Sequence, residues 1–192
     1  MKKLIRSFFT LVFVIVISSN LFAIASSSKS PEEKAEDDAK KAIKEYNDGV
    51  KHMDKANQIL IAGDSAFAYN YRATSDAKAQ REYKKAVKNY NKALDLQPDM
   101  KEAYNNLGYC YRKLGELDKS IKAYTNALRL DPNFAQAREY LGETYLALKR
   151  LDKANEQLTY LTELKSPYAD TLSQSIKMYE LIEFSEKINS DK

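Results

Sequence analysis

The stretch from 101 to 134 superimposes on the stretch from 135 to 168 when residue numbers are shifted by 34. Leu107, Gly108 and Tyr111 face Leu141, Gly142 and Tyr145. Leu117, Asp118 and Lys119 face Leu151, Asp152 and Lys153, and Ser120 faces Ala154. One period back from Tyr124, Ala127 and Pro132 stand Tyr90, Ala93 and Pro98. A period of this length means a small unit, repeated, that cannot bury its apolar face alone and must stack on its neighbours. The spacing within the unit is helical. Leu107, Gly108 and Tyr111 fall on one face of a first helix. Gly108 admits a neighbouring helix closely, and Ala127 and Ala154 do the same from the second helix, with Tyr111 and Tyr124 filling the space between. Gly115 suits the left-handed residue that ends a helix. Pro132 blocks continuation of the second helix, and Asp131 and Asn133 suit the turn around it. The chain has only five Gly and four Pro among 192 residues, and 30% of it is charged, so long helices are expected elsewhere too.

The unit resembles the tetratricopeptide repeat (TPR) family. That family's positions 4, 7, 8, 11, 15, 20, 24, 27 and 32 fall here on Tyr104, Leu107, Gly108, Tyr111, Gly115, Ser120, Tyr124, Ala127 and Pro132. Only the alanine of position 20 is altered, to Ser120. The next unit keeps Leu141, Gly142, Tyr145 and Ala154, and departs at Arg138, Lys149, Leu158, Leu161 and Ser166. The resemblance covers residues 82–168. It implies an all-α superhelix, a short TPR solenoid. It also implies a concave groove lined by the first helix of each unit, which takes a peptide or a partner protein. Carried over by position, the groove residues are Asn105, Asn106, Tyr109, Arg112 and Lys113 from one unit, and Glu139, Tyr140 and Glu143 from the next. Glu102, Gln136, Leu146 and Ala147 hold the remaining groove positions. The branch of the family that clasps C-terminal carboxylates uses Lys and Arg at positions 2 and 6. Here those positions hold Glu102 and Asn106, then Gln136 and Tyr140, which does not fit that ligand.

Residues 26–100 form an atypical first unit, and residues 169–192 a terminal helix. Ser30-Pro31-Glu32-Glu33 is a helix start, with Ser at the N-cap, Pro in the first position and acids in the first turn. Tyr46 and Gly49 echo the first-helix block. From Gly49 to Ala86 the chain is longer than a normal unit by about seven helical turns. An elongated hairpin turning at Gly63-Asp64 accounts for this; a degenerate unit at 67–100 behind a capping helix is the alternative. After Pro167, the spacing of Leu172, Ile176, Tyr179 and Ile182 predicts a capping helix whose outer face is polar, as an array's last helix needs to be.

Residues 1–25 have the parts of an export signal: a basic start with Lys2, Lys3 and Arg6, an apolar centre from Phe8 to Ile17, and Ala23-Ile24-Ala25. Cleavage after Ala25 is expected, and a retained signal anchor in the inner membrane is the alternative. A bilayer core of about 30 Å asks for roughly 20 apolar residues, more than the uninterrupted centre supplies. Export, with a Lys- and Asn-rich chain lacking Trp, predicts a periplasmic protein with no membrane insertion after cleavage. The segment carries three of the 31 basic residues and no acid, so the net charge of +4 falls to +1 without it. Such a chain has no global basic field, so nucleic acid is not expected as a partner.

Chemistry is sparse. One Cys and one His cannot found a disulfide framework or a zinc site. His52 has no Ser/His/Asp set around it, and Cys110 reads as a half-buried, inert thiol. Neither a phosphate-binding Gly loop nor metal-ligand spacing is present, so no cofactor, no metal and no enzymatic activity are expected. The leading expectation is a non-enzymatic interaction module or scaffold that holds a protein or peptide in its groove. Two others stand beside it: a structural or oligomerising subunit of an envelope complex that uses the long first hairpin, and an accessory that presents a substrate to an enzyme.

Overall fold

The computed structural model describes residues 29–64 and 69–190. Those residues form seven helices and no strand: α1 (Pro31–Asp64), α2 (Tyr69–Leu96), α3 (Lys101–Lys113), α4 (Leu117–Leu130), α5 (Ala135–Ala147), α6 (Leu151–Glu163) and α7 (Tyr168–Ser190). The chain divides into two compact units, residues 1–40 and residues 41–192. The export segment lies outside the described residues, and among those described no helix is long and apolar enough to cross a membrane.

In the first unit the start of α1 is a reciprocal cap. The Glu33 amide donates to Ser30 Oγ at 3.1 Å, and the Ser30 amide donates to the Glu33 carboxylate at 2.9 Å. This satisfies two amides that the first helical turn leaves without partners. Lys29 pairs with Asp37, and Lys40 with Glu36.

The second unit is a stack of helical hairpins built on contacts between glycines and large side chains. A Cβ on Gly108 would lie 2.7 Å from Cε1 of Tyr124, so the ring of α4 rests directly on the backbone of α3. Tyr90 of α2 makes the same contact with Gly49 of α1, again at 2.7 Å. Far more chain separates Gly49 from Tyr90 than separates Gly108 from Tyr124. The first hairpin therefore keeps the joint of a regular one, while its two arms together carry about seven extra helical turns. The expected turn at Gly63-Asp64 is corrected: both residues are still helical, the last of α1, and residues 65–68 lie outside the described residues. Tyr90 and Tyr124 are fully buried. Truncating a ring in such a place costs on the order of 3–5 kcal/mol.

Departures from the repeat pattern are compensated locally. Ser120 is fully buried, and its hydroxyl donates to the Gly108 carbonyl at 2.9 Å. Leu158 stands where the regular unit has a ring, and Leu172 of α7 covers Gly142 in its place, with Cδ2 at 2.6 Å from the position of a Cβ. Arg138, at a position the repeat gives to a large residue, donates from Nε and Nη2 to the Pro132 carbonyl and stacks on Tyr160 at 4.0 Å. Gly115 ends α3 with φ +76°, and Lys149, one period later, holds the same conformation at φ 57°. Both turns close with the same pair of amide bonds: Gly115 to Arg112 and Glu116 to Tyr111, then Lys149 to Leu146 and Arg150 to Tyr145.

Two expectations are corrected here. Cys110 is completely buried rather than half-buried, and burial pushes its thiol up to about 12, so it stays protonated. The outer face of α7 is not polar. Leu172 and Ile176 are buried, but Met178, Leu181 and Phe184 are 60–65% exposed. With 23 residues against 13 in α5, α7 is the longer helix, and among the described residues no further helix follows to pack on its free side.

Candidate functional groove

Helices α3 and α5 run side by side in a constant register. Asn105 Nδ2 donates to Gln136 Oε1 at 3.3 Å, the rings of Tyr109 and Tyr140 are 5.6 Å apart, and Arg112 Nη2 lies 2.9 Å from Glu143 Oε2. The partners in each pair are separated by the same stretch of chain, one helical turn short of the repeat period. Equivalent side chains thus meet one turn out of step, and first-helix positions 5, 9 and 12 of one unit touch positions 2, 6 and 9 of the next. Helix α1 reaches the same face of α3. Asn106 Nδ2 donates to the Tyr46 hydroxyl at 3.2 Å, and Asn57 Oδ1 accepts from the hydroxyls of Tyr109 at 3.0 Å and Tyr83 at 2.6 Å.

The expected groove residues are therefore gathered on adjoining faces of two helices, with unequal exposure. Asn105 and Glu139 are buried, at 2% and 4% exposure. Asn106, Tyr109, Arg112, Tyr140 and Glu143 are half-buried, and Lys113 is exposed. Arg112 lies between two rings, 5.6 Å from the centre of Tyr109 and 5.5 Å from that of Tyr140. Lys113 lies over the Tyr109 ring at 5.4 Å. Of the two cations, only Arg112 is paired across the stack.

Electrostatically the groove is closely balanced but incompletely satisfied. Burial works against the Arg112 charge, yet Glu143 beside it, aided by Tyr124 and Tyr109, leaves its pKa raised. Burial, and then the neighbouring Arg112 charge, lower Lys113. Burial, reinforced by the like charge of Glu143 and opposed by Arg112, raises the Glu139 carboxyl to about 7. Among the described residues, three buried polar atoms lack a well-aligned hydrogen-bond partner, Asn105 Oδ1, Arg112 Nε and the Tyr124 hydroxyl, although Arg112 and Tyr124 act on each other. Buried polar atoms are nearly always paired, so the Asn105 oxygen asks for an explanation.

A second polar cluster joins α1 and α2. Glu82, 7% exposed, accepts from Lys85 at 2.9 Å, with His52 Nδ1 at 2.7 Å and Lys55 at 3.4 Å. The Lys85 bond, with His52 and Lys55 and against the cost of burial, holds the Glu82 carboxyl down at about 2. It is a structural clasp on the long hairpin, and it gives the lone histidine a partner. Repeat reasoning did not reach Asn57, Tyr83 or Glu82, because the lengthened arms of that hairpin fall outside the repeat frame.

Three family models match the chain. Residues 102–134 match a model described as tetratricopeptide repeat, 78–111 one described as TPR repeat, and 123–156 another described as tetratricopeptide repeat. Among solved structures, a thermophilic TPR protein of Thermus thermophilus is similar at TM-score 0.51 and 22% identity, over 68% of this chain and 62% of that one. Yeast Tom70 is similar at 0.48 and 22% identity, over 74% of this chain and 26% of its own. The first TPR domain of Spaghetti (RPAP3), solved with an HSP90 peptide, is similar at 0.49 and 18% identity, over 69% and 93%. This chain thus spans about a quarter of the Tom70 chain. No curated protein matches the sequence. Tetratricopeptide repeats are thus recognised within residues 78–156, and the described helices are those of a TPR array.

Proposed function

We propose that the chain is a non-enzymatic interaction module that holds a polypeptide partner against the face shared by α1, α3 and α5, and that it works outside the cytoplasm after cleavage at Ala25. The observation that carries the reading is the α3–α5 ladder. It sets two tyrosines, an arginine and amide side chains on one face, half-buried, with polar atoms left unpaired. Tyr and Arg are the residue types that most often anchor partners. Amides pair with peptide backbone, and few aliphatic anchors are present, so the affinity is modest. The test is binding and melting measured on the same variants. Tyr140→Ala should weaken partner binding by about 1 kcal/mol or more; unchanged affinity would remove the groove from the reading. Intact-mass measurement of the native protein should find Ser26 at its N-terminus, and a retained Met1 would contradict export with cleavage.

A second reading, a subunit of a larger assembly, is favoured by one observation: the exposed apolar side of α7, with Met178, Leu181, Phe184 and Ile188. Large exposed apolar patches mark contact surfaces. Sedimentation of the mature chain separates the readings. A monomer supports the groove, and an oligomer dispersed by Phe184→Glu supports the assembly.

A further inference from the structure

The unsatisfied groups of the groove are not a random set. Glu139 is 4% exposed and accepts no hydrogen bond from any described residue. Asn105 Oδ1 is buried without a partner, because the Asn105 amide nitrogen is committed to Asn106 at 3.4 Å and Gln136 at 3.3 Å, which turns the oxygen away from both. Both groups hold position 5 of their first helices, one repeat period apart, but they differ: the Asn105 oxygen is wholly enclosed, whereas the Glu139 carboxylate, unpaired as well, keeps a little access to solvent.

The donors nearby do not serve these acceptors. Arg112 gives Nη2 to Glu143, and its faces are taken by Tyr109 and Tyr140. Its Nε makes no hydrogen bond to the Glu139 carboxylate, and Tyr124 is the other group acting on the guanidinium. Lys113 lies over Tyr109. Glu143 and Arg112 are the charged groups that act on Glu139, the first from its own helix and the second from α3, and Tyr140 is the titratable group coupled to it on α5. Glu143 holds the ion pair with Arg112, so Glu139 feels the Arg112 charge at a distance but has no ion pair of its own. A buried carboxylate in this state is costly, and a cation brought to it with good geometry recovers that cost.

We propose, on the reading of the groove as a polypeptide-binding surface, that Glu139 accepts a basic side chain, Lys or Arg, of the bound polypeptide. The ammonium or guanidinium of the ligand donates to the Glu139 carboxylate. The preference is the reverse of one for a C-terminal carboxylate, which Glu139 and Glu143 would repel. Because Glu139 is raised to about 7 in the free chain, capture of a cation also drives off its proton. Binding therefore strengthens as pH rises from 6 toward 8.

The experiment is a titration of the full mature chain, followed by amide and side-chain NMR shifts, with three pools of blocked heptapeptides. The pools have randomised flanks and a central Lys, Gln or Glu. The inference expects the Lys pool to bind about tenfold more tightly than the Gln pool and the Glu pool to bind least. Shifts should centre on Asn105, Glu139 and Tyr140, and affinity should fall on going from pH 8 to pH 6. Glu139→Gln should abolish both the preference for the Lys pool over the Gln pool and the pH dependence. Equal binding of all three pools, or tighter binding of the Glu pool, overturns the inference and leaves the groove as a polypeptide site. Absence of binding by every pool overturns both.

Discussion

The Arg112 guanidinium of α3 lies 2.9 Å from the Glu143 carboxylate of α5, and both side chains are less than a quarter exposed. It is one rung of the register that fixes α3 against α5, with Asn105–Gln136 and Tyr109–Tyr140 on the same face. The rung does two things at once. It ties one repeat to the next, and it places an arginine between two tyrosines where a partner would lie.

If that rung is structural, Arg112→Ala leaves Glu143 half-buried and unpaired and lowers stability by on the order of 1–3 kcal/mol. The double variant Arg112→Ala with Glu143→Ala should recover part of the loss, a coupling of about 0.5–3 kcal/mol. Thermal melting of the four proteins measures it, and strict additivity would deny the pair any contribution.

Gly49 and Gly108 should respond alike to substitution. A methyl group at either would sit 2.7 Å from a tyrosine ring, so Gly49→Ala and Gly108→Ala should each cost about 1–3 kcal/mol through forced movement of Tyr90 or Tyr124. A tolerated Gly49→Ala would mean that the long hairpin is not joined as the regular one is.

Lys149→Gly should stabilise the protein. The residue holds φ 57°, a conformation that costs a side-chain-bearing residue about 1–2 kcal/mol. Its ion pairs with Glu183 and Glu186 are exposed and contribute little. Chemical denaturation should show a higher midpoint with an unchanged slope, and a lower midpoint would show that those pairs matter more than the strained backbone.

Two carboxylates make stability depend on pH in opposite directions. Glu82 is held at about 2 by Lys85, His52 and Lys55, below the ordinary value of about 4.3. Its contribution is fully present above about 4.3 and is lost as pH falls through 2. Glu139 is raised to about 7, so its folded state favours the proton. The penalty it carries is absent below about 4.3 and grows as pH rises to 7. Glu139→Gln should therefore match the wild type at pH 4 and exceed it at pH 8, by on the order of 1 kcal/mol or more. Urea denaturation at the two pH values decides, and a variant less stable at pH 8 would show that the charge is already satisfied.

Most of the array was legible from spacing alone. Leu107, Gly108, Tyr124 and Ala127 recur at fixed distances because a helical hairpin that stacks on its own copy needs the same small and large residues in the same places. Gly115 named its own turn, while Lys149 hid the equivalent one, since nothing in a lysine signals a left-handed backbone. The groove positions were legible as positions only. That Arg112 takes Glu143 and leaves Glu139 alone depends on the one-turn offset between α3 and α5, which the period does not contain. The Asn57–Tyr83–Tyr109 bonds and the Glu82 clasp lie in arms that have no counterpart in the repeat. The apolar side of α7 was missed because Leu172 and Ile176 predict the buried face correctly, and the expectation of a polar outer face came from the general need of an array's end.

Site-specific photo-crosslinking in cells tests the central claim most directly. A photoreactive residue is placed in turn at positions 106 and 136 in the groove, at 122 on α4 and at 184 on α7. The groove account predicts adducts of one size from 106 and 136, lost with Tyr140→Ala, and none from 122. Adducts from 184 alone, with 106 and 136 silent, would contradict it.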